Sequence, residues 1–375
     1  MIKFLDLKKQ YDAMSNEINA AIFETIKNSS YIGGDQVSNF ELEFSKYVSA
    51  SHCIGVANGT DAIEIAVKSL NLEPDSEIIV PANSFISTSE AVTSAGHRVV
   101  FCDICDQSCN IDIDDLKSKI TINTRAVLLV HLYGLPAPVE EVAALCQKFD
   151  IKILEDCAQA HGATVNGKHV GSFGDIGTFS FYPGKNLGAY GDAGAIVTNN
   201  SSLADKCRRI SNHGRIKKYD HDLEGRNSRL DSIQAAVLLV KLKYLEAWID
   251  KRRKIAQIYK DLLPNELLLQ KVPKNIKHAY HLFVIRTKDR DGLKAFLERN
   301  DVQTGIHYPI ALPDLKAYDY INQKGTCVNA TNNSASILSL PIGEHLEPDD
   351  ARHVCSLIKA FLDGHSKIKT ALPNK

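Results

Sequence analysis

A lone lysine, Lys185, sits in the run Ser180-Phe-Tyr-Pro-Gly-Lys-Asn-Leu-Gly-Ala-Tyr-Gly-Asp-Ala-Gly194, straight after a short β-rich segment. Lysines are ordinarily solvated. The chain around this one is small, apolar and turn-forming, which suits an amine held inside a pocket. Such an amine can lose its proton and form a Schiff base with an aldehyde. The competing reading is an exposed loop lysine. A nucleoside-triphosphate loop is excluded, because GxxxxGK[ST] requires glycine where Phe179 stands and serine or threonine where Asn186 stands. No GxGxxG follows a strand either, which removes the simplest dinucleotide reading.

Three other segments could work with that lysine. Val56-Ala-Asn-Gly59-Thr60-Asp61 precedes a helical pattern. Gly59 permits close backbone approach and Thr60 offers a hydroxyl at a helix N-terminus, a seat for an anion such as phosphate. Plain capping by Thr60 or Asp61 is the alternative. In Glu155-Asp156-Cys-Ala-Gln159-Ala-His161 an acid follows a buried apolar run, which is costly unless it has a partner. A protonated pyridine nitrogen is one such partner, and a structural cap or ion pair is another. Adjacent strand residues face opposite ways, so only one of Glu155 and Asp156 is expected to reach such a ring. His213-Gly-Arg215-Ile-Lys-Lys218-Tyr219, followed by Asn227-Ser-Arg229, could grip a phosphorylated substrate or form a solvated basic face. Phe85, in Pro81-Ala-Asn-Ser-Phe85, could stack on a flat ring or lie in the core. Each of these segments is read as standing at the carboxyl end of a strand, where parallel α/β sheets bind ligands.

The elements that must position them are short apolar runs bounded by turns: Glu77–Val80, Arg98–Cys102, Ala126–Val130, Ile151–Leu154, Ile176–Phe181 and Gly194–Thr198. Such runs suit strands buried on both faces. Helical periods alternate with them, at Ile63, Ala66, Val67 and Leu70 and across Val139–Lys148, which argues for an α/β domain around a mostly parallel sheet. From Asp231 to about Leu263 the apolar spacing predicts one long helix. A smaller mixed region follows, with a strand over His281–Arg286 and a helix over Arg290–Leu297. We therefore expect a large domain over residues 1–250 and a smaller α+β domain over 251–375, with residues 368–375 frayed.

Bulk properties set limits. A chain of 375 residues is long enough for a large core, and 44% hydrophobic with 24% charged residues is ordinary for a globular enzyme. A formal net charge of −1 gives no whole-chain basic field for nucleic acid or an anionic membrane. The start of the chain is too charged for a signal peptide, no apolar run approaches a membrane span, and nine cysteines then suggest reduced thiols in a cytoplasm. Cys102, Cys105 and Cys109 include a CxxC spacing, but no second pair of ligands follows and no metal is expected there.

Taken together, Asn58-Gly-Thr-Asp-Ala62, Pro81-Ala-Asn-Ser-Phe85, Glu155-Asp-Cys-Ala-Gln-Ala-His-Gly162, Ser180-Phe-Tyr-Pro-Gly-Lys-Asn-Leu-Gly188 and Asn227-Ser-Arg-Leu-Asp-Ser-Ile-Gln-Ala-Ala236 closely resemble the DegT-type nucleotide-sugar aminotransferases. Phe4-Leu-Asp-Leu and Gly305-Ile-His307-Tyr308-Pro309 extend the resemblance over nearly the whole chain. It implies the aspartate aminotransferase fold (fold type I), with pyridoxal 5'-phosphate in the large domain of a homodimer. By that resemblance Lys185 holds the cofactor as a Schiff base and Asp156, not Glu155, pairs with its ring nitrogen. Gln159 lies by the ring hydroxyl, Phe85 stacks on the ring, and Gly59, Thr60 and Ser180 hold the phosphate. Asn227 reaches the phosphate from the other subunit, and Arg229, His307 and Tyr308 lie near the sugar nucleotide. Cys157 departs from the alanine expected there, but it is small enough to leave the cofactor undisturbed.

The implied reaction passes an amine from L-glutamate to a dTDP- or UDP-linked keto-sugar, at C3 rather than C4, for O-antigen or other surface polysaccharide. A dehydratase of the same fold would carry histidine in place of Lys185. A non-catalytic regulator should have lost Asp156, Lys185 or Asn227.

Overall fold

The computed structural model describes residues 1–371; of the stretch expected to fray, residues 372–375 lie outside the described residues, and the rest continues the helix Pro348–Ala371. The centre of the fold is a seven-stranded sheet: β1 His52–Val56, β2 Glu77–Pro81, β3 Arg98–Cys102, β4 Thr124–Val130, β5 Lys152–Asp156, β6 Ile176–Ser180 and β7 Gly194–Thr198. Their order across the sheet is β1-β7-β6-β5-β4-β2-β3. β2 through β6 pair in parallel, while β7 runs antiparallel to both β6 and β1.

Successive residues on these strands enter different cores, as alternation requires. Ile78, Val80, Leu128 and Ile196 belong to one apolar cluster, with Ala62, Ile63 and Ala66 of the helix α1 Gly59–Ser69. Ile79, Val127, Leu129 and Ile153 point into another, with Val142 and Leu145. Ala195 and Val197 point into a third, with Phe40, Phe44, Phe179 and Phe181. Burial on both faces is why these strands read as unbroken apolar runs.

The long helix expected over 231–263 is two helices. These are α3 Ser232–Leu242 and α4 Leu245–Leu262, counted after α2 Ser87–Ser94, and the chain breaks step at Lys243 and Tyr244. The change of partners comes later, inside α4, whose Leu245 and Ile249 still share a cluster with α3. The first helix places Ala235 and Leu238 with Phe40 and Phe181, whereas Ile255, Ala256 and Tyr259 of the second pack with Phe283, Leu297 and Val354. The apolar period runs through the join, so nothing local marked it. Beyond α4, Leu268–Leu269, Phe283–Arg286 and Ile337–Leu340 form a three-stranded antiparallel sheet. The first residues of the chain return to this region: Ile2 bridges to Val302, and Lys9 Nζ donates to the carbonyl of His345 at 2.7 Å.

Candidate active site

Asp156 ends β5, and it differs from the residue before it in every contact. Glu155 is fully buried and points away from α2. Its Oε1 accepts from the N–H groups of Phe173 and Gly174, each at 2.7 Å. Its Oε2 accepts from Gly171 N–H at 2.8 Å and pairs with His131 Nε2 at 3.0 Å. His131 Nδ1 accepts from Ala137 N–H at 3.0 Å, so Nε2 carries the proton given to Glu155. Burial pushes the Glu155 carboxyl up, but the His131 hydrogen bond and the backbone donors outweigh it and hold the group below the usual carboxylate range. His131, Glu155 and Cys157 place ligand atoms within 4.8 Å of one another, yet the Glu155 oxygens and both His131 nitrogens are already engaged.

Asp156 faces the other way. Its Oδ2 accepts from Thr88 Oγ1 at 2.8 Å and its Oδ1 from Ala158 N–H at 3.0 Å. It is 6% exposed, and among the described residues no cation lies within ion-pair distance of it. A buried carboxylate held only by neutral donors remains short of a countercharge.

Lys185 lies in the loop that joins β6 to β7. Ser180 and Gly194 are paired at its base, and Phe181 N–H donates to the carbonyl of Ala193 at 2.8 Å. The lysine is partly exposed. Its ammonium makes no hydrogen bond or ion pair with any described residue. Desolvation lowers its pKa to about 8, and the charge of Asp156 acts in the opposite sense. The neighbouring histidines are held neutral. Burial, reinforced by the charge of Lys185, brings His161 down to about 3 and His307 to about 4, and it holds His281 well below the ordinary value.

A hydrogen-bonded chain closes the site. Gln159 Oε1 accepts from Tyr133 N–H at 2.7 Å, and Gln159 Nε2 donates to Tyr308 Oη at 3.0 Å. Tyr133 Oη donates to the carbonyl of His307 at 2.5 Å and accepts from Asn83 Nδ2 at 3.2 Å. His307 Nδ1 meets Ser339 Oγ at 2.9 Å, and its ring stacks on Phe4 at 5.6 Å. Burial and the charge of Asp156 raise the pKa of Tyr308. Phe85 is 54% exposed and lies 5.9 Å from the Tyr308 ring, so it is not the core residue its type would suggest.

The segments read as an anion seat meet where β1 and β6 end. Neither Thr60 nor Asp61 caps α1; Asn58 does, its Oδ1 accepting from Asp61 N–H at 2.8 Å. Asp61 instead pairs with Arg226 at 2.8 Å. Thr60 Oγ1 shares a hydrogen bond with Ser87 Oγ at 2.7 Å. A side chain at Gly59 would put its Cβ 2.6 Å from Ser180 Cβ, and one at Gly194 would lie 2.4 Å from the Asn58 carbonyl oxygen. These close approaches set Gly59, Thr60 and Ser180 together, with the first N–H groups of α1 lacking intrahelical acceptors.

Asn227 and Arg229 stand apart. Ser228 Oγ accepts from Ala57 N–H at 3.1 Å, which fixes their segment beside β1. The Asn227 side chain is exposed, and among the described residues Arg229 reaches only Asn212 Oδ1, at 3.5 Å, with Nε unpartnered. Among the described residues, no hydrogen bond, ion pair or ring contact joins either to the Lys185 group. The basic run 213–219 is not at a strand end of the large sheet. It follows the helix Ser201–Ser211 and pairs with itself, Arg215–Lys217 against Asp220–His221, because Arg209 anchors Asp222 at 2.6 Å and His221 Nδ1 meets the His213 carbonyl at 2.7 Å.

Sequence reasoning missed Thr88, Tyr133 and His281. The hydroxyl run Ser84, Ser87, Thr88, Ser89 directly after a buried strand was a usable signal for Thr88. Nothing local marked Tyr133 or His281. A separate cavity of about 450 Å³, lined by Ile111, Leu135, Val139, Val165 and Ile276, contains none of these side chains.

Residues 12–359 match the DegT/DnrJ/EryC1/StrS aminotransferase family. The chain is 39% identical over 362 residues to a dTDP-3-amino-3,6-dideoxy-alpha-D-galactopyranose transaminase of Aneurinibacillus thermoaerophilus, a match covering 96% of this chain and 99% of that one. It is 38% identical over 364 residues to a UDP-N-acetyl-3-dehydro-alpha-D-glucosamine 3-aminotransferase of Acidithiobacillus ferrooxidans, covering 97% and 98%. The crystal structure of S. venezuelae DesV in complex with a ketimine intermediate superposes with a TM-score of 0.94 at 36% identity, over 96% of this chain and 98% of that one. With a matching fold, a match across nearly its full length and a buried acid opposite a loop lysine, this chain belongs to the DegT/DnrJ/EryC1/StrS aminotransferase family.

Proposed function

We propose that the protein is a pyridoxal phosphate-dependent aminotransferase that moves an amino group from an amino acid, L-glutamate, to the C3 carbon of a dTDP- or UDP-linked keto-deoxysugar. The observation that carries this is Asp156: a buried carboxylate with only neutral donors, whose charge acts on a lysine that has no hydrogen-bond or ion-pair partner among the described residues. The residues present fit the cofactor. Asp156 would meet the ring nitrogen, Gln159 the ring hydroxyl, the exposed ring of Phe85 one face, and Gly59, Thr60 and Ser180 the phosphate. When bound, pyridoxal phosphate supplies the electron sink for the electrons left on the donor's α-carbon.

The chain's own residues do the rest. Lys185 Nζ, with its pKa near 8, is the base that takes the proton from the donor's α-carbon and later returns one. Thr88 and the Ala158 N–H keep the Asp156 carboxylate oriented. Gln159 and Tyr308 fix the segment 305–308 against the site, and we place the sugar nucleotide there. The C3 assignment draws support from the two transaminases named above.

Asn227, exposed and without a side-chain hydrogen bond among the described residues, is proposed to complete the phosphate seat of a second copy. Exposed Phe23, Tyr31, Ile32 and Leu42 support a face covered by that copy. We place the domain division at 250/251, inside α4, where Ile249 packs with the large sheet and Ile255 with the small one. O-antigen or other surface polysaccharide is the proposed destination of the product, made in the cytoplasm. The test is a half-reaction. The loaded enzyme is converted with L-glutamate, then offered dTDP- or UDP-linked 3-keto and 4-keto sugars in turn. Recovery of the starting absorbance with a 3-keto sugar is expected; recovery with none of them would overturn the reading.

A further inference from the structure

The loop that carries Lys185 is gripped by a second buried lysine. Lys241, on α3, is 0% exposed, and its ammonium donates to the carbonyl of Gly188 at 2.7 Å. The same ammonium lies 4.2 Å from the centre of the Tyr190 ring. Among the described residues it has no ion-pair partner. The charge that favours it most is Glu344, which is itself paired with Arg252 at 3.1 Å. A buried ammonium is unfavourable unless its neighbours satisfy it, and here one carbonyl and one aromatic face do so. Desolvation lowers its pKa to about 8.

Two turns away on the same helix, Gln234 Oε1 accepts from Tyr190 N–H at 2.8 Å, and its amide nitrogen would lie 2.9 Å from a Cβ at Gly191. Thus α3 holds the loop from Gly188 to Gly191. The loop is fastened on its other side as well, where Asn186 Nδ2 donates to the carbonyl of Ala279 at 3.1 Å. Gly188 leaves no room for a side chain, since a Cβ there would lie 2.3 Å from the Pro183 carbonyl oxygen. Lys185 stands just before both fastenings.

We propose that Lys241 is a positioning residue that fixes the loop between β6 and β7, and thereby the place of the Lys185 amine opposite Asp156. The proposal rests on Lys185 being the catalytic amine. Lys241 itself touches neither substrate nor cofactor; it acts through Gly188 and Tyr190. Replacing it with an apolar side chain of similar length removes a costly buried charge, so the fold should survive while the loop loosens.

The test is hydrogen exchange of the cofactor-free protein together with steady-state kinetics of the holoenzyme. In Lys241→Met, the amides of Ala189 and Tyr190 should exchange about tenfold faster while those of β2, β4 and β5 do not change. The turnover number should fall about tenfold, with KM for the sugar nucleotide within about twofold of wild type. Tyr190→Leu keeps the carbonyl bond and should give a smaller change of the same kind; it decides the matter if Lys241→Met does not fold. Unchanged loop exchange in both variants, or exchange rising equally across the sheet, would overturn the proposal. Lys185→Ala serves as the separating control. If it keeps turnover, the catalytic reading fails, and loop exchange still decides whether Lys241 holds the loop.

Discussion

The two faces of β5 at its carboxyl end carry the same chemistry to opposite purposes. On one face Glu155 has both oxygens filled by backbone donors and His131. On the other, Asp156 has two neutral donors, and its charge acts on an amine with no hydrogen-bond or ion-pair partner among the described residues. A satisfied buried carboxylate is a structural pin, tying β5 to the segment 171–174. An under-satisfied one is poised for a ligand that brings a positive charge. What separates the two is the number of donors each finds.

The comparison can be broken most forcefully at Lys185. Lys185→Ala should cost at least about 10³-fold in turnover, with the thermal midpoint unchanged or raised, because the variant loses a base and also a poorly solvated charge. Asp156→Asn should come next, at about 10²-fold in turnover with the fold intact by circular dichroism. The matched change on the other face, Glu155→Gln, should reverse the pattern. One of its amide hydrogens would face a backbone N–H, which costs about 2 kcal/mol of stability in denaturant titration, while the folded fraction keeps its turnover number within about threefold. Thr88→Val removes one donor from Asp156 and should cost about tenfold in turnover. If Glu155→Gln stops catalysis without destabilising the fold, the two faces are not divided as described.

A pH measurement sharpens the same division. In the cofactor-free protein the Lys185 amine should titrate near 8, against the usual 10.5 for lysine. Its capture of an aldehyde probe should therefore rise as pH passes through that region. Burial lowers the value and the Asp156 charge raises it, so Asp156→Asn should move the midpoint lower still, whereas Glu155→Gln should leave it in place.

Much of this division was legible in the chain. An apolar run such as Ile151–Leu154 announces a strand buried on both sides, and polar residues directly after it must be paid for by partners. Alternation then told that Glu155 and Asp156 diverge. The lysine loop was legible because glycines crowd a charged residue. The direction of β7 was not, since Gly194–Thr198 has the same composition in a parallel or an antiparallel strand, and only pairing across the loop decides it. The interruption at Lys243 was hidden because both helices keep one apolar period. Tyr133 was invisible for a different reason: its hydroxyl meets a carbonyl 174 residues away, a contact that no local pattern encodes. The strand-end placement of the basic run 213–219 failed because charge alone does not reveal that Arg215–Lys217 pairs with the residues just after it.

The central claim, that Lys185 is the amine that holds the cofactor opposite Asp156, is tested most directly by trapping. Cofactor-free protein is incubated with pyridoxal phosphate, reduced with borohydride, digested and mapped by mass spectrometry. The added mass should fall on the peptide that contains Lys185 and should vanish in Lys185→Ala. Label on another lysine such as Lys241, or no label at all, would contradict it.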